Sequence, residues 1–110
     1  MNKRVVFRHM DHSNTLENHL NEQLKKLETF LVNEPTPVNL DVVLEADARR
    51  SMSRGELLLK SPHYDFIVHA QQPDMYDVID EIVDKAYKLI HEKKKQRIGD
   101  RKTTDKYKGV

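Results

Sequence analysis

The sequence predicts an α+β fold: a two-layer sandwich, β-α-β-β-β-α, with a four-stranded sheet and both helices packed on one face. Three patterns carry the expectation. Leu16, Leu20, Leu24, Leu27 and Leu31 recur at helical spacing, the segment after Val38 turns to a period of two, and a second helical stripe follows Asp74.

Taken in order, Val5-Val6-Phe7 between basic residues reads as a short first strand that ends in the turn chemistry of His9 to Asn14. A helix over roughly 15–32 follows, with Asn14 and Glu17 spaced for a capping box and the leucines on one side. Pro35 and Pro37 stop it, because each removes a donor and drives its predecessor into an extended conformation. Val38, Leu40, Val42 and Leu44 then alternate with Asn39, Asp41, Val43 and Glu45, a strand with one buried face. The polar stretch 47–55 reads as a hairpin connection, and 56–60 and 64–70 as two more strands around Ser61-Pro62-His63, completing an antiparallel meander.

The last helix is expected to open at Pro73-Asp74, with Asp74 as its N-cap and Asp77 complementing the dipole. Met75, Ile79, Ile82, Ala86 and Leu89, flanked by Val78, Val83 and Ile90, form its apolar side. Lys93 and Lys94 occupy positions where core residues would fall next, so the helix should outrun the body of the domain until Gly99. Residues 1–98 are thus expected to form one α+β domain, and 99–110 a basic, disordered tail.

At 110 residues there is room for one core. The chain has no cysteine, which removes disulfides and thiolate metal sites. Neither a signal peptide's apolar stretch nor an apolar run of about 18 residues is present, so a soluble, cytoplasmic protein without a membrane partner is expected.

Charge is the feature that speaks to function. From Lys85 to Val110 ten Lys/Arg stand against three Asp/Glu, a balance of +7, whereas residues 1–84 carry −6, so the formal net charge of +1 conceals a strong polarity. Such asymmetry makes nucleic acid the first partner to consider. On a helical wheel Lys85, Lys88, Glu92 and Lys95 share one stripe opposite the apolar side, and Lys93, Lys95 and Arg97 add uncompensated charge. The competing reading is a solvated face in which Glu81 pairs with Lys85 and Asp84 with Lys88 at i,i+4. Arg49, Arg50 and Arg54 make a second basic group at the expected hairpin tip, suited to phosphate clamping unless Asp47 and Glu56 neutralise it.

Other chemistries fare worse. Phe7, Tyr64 and Phe66 alternate as core residues, and Tyr76 and Tyr87 border the apolar side of the second helix, so backbone recognition of RNA is expected over base stacking. The six histidines lack a third ligand at diagnostic spacing, and Asp77, Asp80 and Asp84 are explained by dipole complementation, so neither metal nor cofactor is expected. No Gly-rich phosphate loop, His-Glu-x-x-His or nucleophile elbow occurs, and neither catalysis nor a small-molecule substrate is expected.

The segment Asp74-Met75-Tyr76-x-x-Ile79-Asp80-x-Ile82-x-Asp84-Lys85, together with Lys26-Leu27-Glu28, resembles the ribosome hibernation promoting factors, also described as ribosome-associated inhibitors or sigma-54 modulation proteins. The likeness extends over roughly residues 3–97. It implies a non-enzymatic stress factor of slowly growing or stationary-phase cells that occupies the decoding cleft of the small ribosomal subunit and blocks translation. By the same resemblance, Lys26, Lys85 and Lys88 would face ribosomal RNA. Two positions depart from the family's basic pattern, Gln23 and Glu92, and Lys93, Lys95 and Arg97 stand close enough to compensate. The chain looks like a short form without the separate dimerisation domain of long members, hence a monomer off the ribosome. A general structured-RNA binder and a protein-interaction regulator of a transcription factor are the alternatives.

Overall fold

The computed structural model describes the backbone of residues 1–109 and the side chains of residues 1–95. Strand β1 spans Asn2–Arg8, helix α1 Asn14–Leu31, β2 Asn39–Asp47, β3 Met52–Lys60, β4 Asp65–Gln72 and α2 Met75–Gly109. The α+β order is the expected one, and the strands lie side by side as β1-β2-β3-β4. The pairs β2/β3 and β3/β4 are antiparallel, the meander the short connections predict. β1 joins the edge parallel to β2, which requires a crossover, and α1 supplies it.

Register explains which face is buried. Val5, Val42, Leu57 and Val68 align across all four strands, as do Phe7, Leu44, Gly55 and Ala70. These rows and the stripes of both helices form a single apolar cluster. The opposite face carries Arg4, Asp41, Glu56 and His69 among Val6, Val43, Leu58 and Ile67, and Ile67 remains 47% exposed. Leu20, Leu24 and Leu27 are fully buried, worth about 1.5–3 kcal/mol each in removed apolar surface, which makes α1 a tertiary rather than a propensity-driven helix.

The helices run parallel. His19 Nε2 meets Asp80 Oδ1 at 2.7 Å near their starts, and Phe30 meets Tyr87 and His91 near the end of α1. Their N-termini therefore share one end of the molecule with the hairpin connecting β2 to β3.

Several boundaries differ from expectation for identifiable reasons. The N-cap of α1 is Ser13, whose Oγ accepts from the Leu16 amide at 3.2 Å, and Glu17 is engaged by His12 instead of closing a box on Asn14. The hairpin connection is only 48–51, closed by Ser51 in the left-handed region at φ 51°. Ser53, Arg54 and Gly55 therefore lie within β3. At the other end, α2 passes Gly99 without a break, since an interior glycine costs about 1 kcal/mol yet keeps its backbone hydrogen bonds. The expected tail 99–110 therefore begins inside a helix, and its side chains lie outside those described.

A polar latch fixes the end opposite the hairpin. Glu34, after α1, accepts from the Ser61 hydroxyl and from the His63 amide at 2.9 Å, while its other oxygen meets His63 Nδ1 at 2.8 Å. Burial pushes the Glu34 carboxyl up, but these hydrogen bonds and the His63 charge outweigh it and hold the group below its ordinary value.

Gly55 is where α2 comes closest to the sheet. A Cβ there would stand 2.5 Å from Val78 Cγ1 and 3.4 Å from Leu44 Cδ2, so only glycine admits the helix at this depth. Gly55→Ala is expected to lower stability by about 1–3 kcal/mol through overpacking. In denaturant titrations, adding Val78→Ala should cost less than the sum of the two single changes.

Candidate nucleic-acid interface

The packing of α2 sorts its lysines. Met75, Val78, Ile79, Ile82, Val83, Ala86 and Ile90 are buried and Leu89 is half-buried, so the apolar stripe ends one turn before Lys93. Asp74 caps the start, its Oδ1 accepting from the Tyr76 amide at 2.8 Å. Acidic groups cluster over the first turns and basic groups over the last, the arrangement the helix dipole favours.

Lys85 is held from two sides. Its ammonium donates to the His69 carbonyl on the free edge of β4 at 2.7 Å and lies 2.8 Å from Glu81 Oε2. Glu81 also accepts from Gln72 Nε2 at 2.6 Å, and the bonds from Lys85 and Gln72 keep its carboxyl below the ordinary value against the opposing effect of burial. Lys85 thus ties the helix to an otherwise unpaired sheet edge.

Lys88 differs. It pairs with Asp84 at 3.0 Å, but the side chains are 73% and 59% exposed, so the pair is worth a few tenths of a kcal/mol at most and yields readily to a phosphate. The two i,i+4 pairs Glu81–Lys85 and Asp84–Lys88 are therefore both formed, with different consequences.

At the end of the core two lysines fold back on rings. Lys93 Nζ sits 5.5 Å from the centroid of Phe66 on β4, and Lys94 Nζ 5.6 Å from that of Phe30 on α1. Lys93, half-buried, cannot extend fully without leaving its ring. Lys95 is exposed and makes no ion pair among the described residues, and Lys26 on α1 is likewise exposed. Lys26 shares the groove between the helices with Gln23, Asp77, Asp80, Glu81, Asp84 and Tyr87. Gln23 and the acidic flank make the first half of this groove unfavourable for a polyanion. The Arg97 side chain lies outside those described.

The arginine group is not part of this surface. Arg49 and Arg50 occupy the hairpin, beside the helix starts, whereas Lys93 to Lys95 lie about 27–30 Å further along α2. Arg54 is not at the tip but on β3, and its Nη2 donates to Asp47 Oδ2 at 3.0 Å. Asp47 also accepts from the Arg50 amide at 3.4 Å, so the neutralisation by Asp47 weighed from the sequence occurs, while Glu56 turns to His69.

The aromatic residues expected in the core are there: Tyr64, just before β4 and not within it, is buried, and Phe7 and Phe66 pack half-buried against the core. Tyr76 is 38% exposed and edge-on to His19, more open than the partly buried ring expected there. Tyr87 packs edge-on against Phe30 with centroids 5.1 Å apart. No group of three potential metal-ligating side chains occurs among the described residues, and no described helix is long and apolar enough to cross a membrane.

Known proteins resemble this chain in sequence and in fold. A family model described as Sigma 54 modulation protein / S30EA ribosomal protein matches residues 4–98. Among solved structures, the N-terminal domain of Thermus thermophilus Protein Y superposes with a TM-score of 0.69 at 20% identity, covering 82% of this chain and 96% of that one. A ribosomal subunit interface protein from Coxiella burnetii gives a TM-score of 0.69 at 16% identity, covering 86% of this chain and 98% of that one. These two likenesses show the fold. No curated protein matches the sequence.

The sorting of the lysines is testable without a ligand. Lys85→Ala should cost about 0.5–1 kcal/mol in thermal or denaturant unfolding at pH 7, whereas Lys88→Ala should stay within about 0.3 kcal/mol. Because the Glu81 carboxyl is lowered, its share of the Lys85 effect is present at neutral pH and disappears as pH falls through that lowered value. The difference between the wild type and Lys85→Ala should accordingly shrink in acid.

Proposed function

The chain belongs to the sigma 54 modulation protein / S30EA ribosomal protein family, and from that premise we propose that it is a ribosome-associated factor that seats in the decoding cleft of the small subunit. There it blocks translation by occupancy, without catalysis, and so holds idle ribosomes in slowly growing cells. Its partners are the small subunit and ribosomal RNA, and off the ribosome it is a monomer.

The observation that supports this reading most is the division of α2 into an acidic, apolar-anchored half and a basic half beyond the core. Lys88 and Lys95 stand exposed on one stripe, with Lys26 alongside on α1. Lysine suits this use, because a mobile point charge meets a phosphate without a fixed fork. Lys85, committed to the β4 edge, contributes field more than contact, and Lys93 gains a phosphate only by releasing Phe66. Residues 99–110 add Arg101, Lys102, Lys106 and Lys108 against Asp100 and Asp105, extending the same sign of charge. The arginine hairpin, remote and partly neutralised, is a secondary contact at most.

Backbone recognition of this kind has a quantitative signature in salt. Ribosome association measured by sedimentation should weaken steeply between low and moderate salt, with a log-log slope of about −0.7 to −0.9 per phosphate neutralised. Lys88→Glu with Lys95→Glu should reduce that slope by roughly 1.5 while leaving unfolding unchanged within about 0.5 kcal/mol. Association that is flat in salt, or indifferent to the double reversal, would refute the electrostatic reading. Equal affinity for isolated duplex RNA and for ribosomes would replace it with a general RNA-binding role.

A further inference from the structure

Five of the six histidines stand against a carboxylate oxygen at 2.6–3.6 Å. His91 does not, among the described residues. Its ring lies within 3° of parallel to that of Tyr87, with centroids 6.3 Å apart, and Phe30 meets it edge-on at 6.2 Å. Phe30 is in turn covered by Lys94. His91 is exposed, whereas Tyr87 and Phe30 are half-buried, so the three rings grade from core to solvent at the exit of the helix pair.

The sequence places this ring among cations. Lys88 lies three residues before His91 and Lys95 four residues after it, the spacings that put side chains on one side of a helix. An exposed ring, braced by a second and third ring and bracketed by two lysines about 10 Å apart along the axis, combines a stacking surface with backbone neutralisation. Those are the two elements of a single-strand nucleic-acid site.

We infer that His91, braced by Tyr87 and Phe30, is a stacking platform for one unpaired base of an RNA strand whose flanking phosphates are held by Lys88 and Lys95. This deepens the reading of the basic helix end as RNA-facing: contact there includes a base face as well as the backbone. Stacking tolerates any base, so the site selects unpaired over paired nucleotides and not one sequence over another. Asp84 and Glu92 flank the platform, and the strand displaces Asp84 from Lys88 when it docks.

The test uses the full chain and a fluorescently labelled twelve-nucleotide oligouridine, compared by anisotropy at low salt with an abasic strand of equal length and charge. The base-bearing strand should bind about 5- to 150-fold more tightly. His91→Ala should abolish the preference while leaving abasic-strand affinity within about twofold, and His91→Tyr should preserve it. Equal binding of the two strands by the wild type, or a preference that survives His91→Ala, overturns the proposal. Absence of the preference in the wild type, alongside intact, salt-dependent ribosome association, refutes the platform alone. A preference that behaves as described in a protein indifferent to ribosomes supports the platform and refutes the ribosomal reading instead.

Discussion

The seating of α2 on Gly55 is the constraint from which the remaining architecture follows. With no Cβ at that position, the helix descends until Val78 and Ile82 rest on β3, and its axis is then set relative to the whole sheet. α1 packs alongside in parallel, held by His19 against Asp80 at one end and by Phe30 against Tyr87 at the other. Once that axis is fixed, the place where the apolar residues run out becomes a place in space. Among the described residues Ile90 is the last fully buried side chain of α2, and the helix continues beyond it.

Charge is arranged along this helix. Near the start of α2, carboxylates complement the dipole and serve structure, with Glu81 and Lys85 binding the helix to the sheet edge. Near the end, cations complement the dipole and only Glu92 opposes them between His91 and Lys95. A surface pair such as Lys88 with Asp84 contributes a few tenths of a kcal/mol. Counterion release from each neutralised phosphate would give a tenfold salt change nearly a tenfold effect on affinity, more than such a pair contributes. The same helix therefore combines an anchored half and a basic half, with the boundary between them set by where the core stops.

Much of this was visible in the residues. The leucine stripe of α1 and the stripe of α2 name the buried side chains almost one for one, because helical periodicity reports burial directly. The period-two run after Val38 likewise marks β2. The start of β3 departs from the sequence expectation because Gly55 and its polar neighbours look like turn chemistry. Glycine is depleted from strands for want of a side chain to pack, yet here that lack is what lets α2 in. The two-sided engagement of Lys85 could not be read either, since the His69 carbonyl belongs to a strand edge defined only by tertiary pairing. The remoteness of Arg49 and Arg50 from Lys93 to Lys95 follows from the meander, which ends β4 beside the hairpin so that α2 starts there and leads away. That His91 alone lacks a carboxylate partner among the described residues is likewise visible only in the structure.

Because the chain contains no cysteine, a single one can be introduced at Glu92, beside the proposed contact, or at Ile67, on the open sheet face, and carry a tethered hydroxyl-radical source onto the ribosome. The account predicts cleavage of small-subunit ribosomal RNA from the probe at Glu92→Cys and little from the probe at Ile67→Cys. Strong cleavage from position 67 with none from position 92 would contradict it, by showing that the bare face of the sheet, and not the basic end of the helices, meets the RNA.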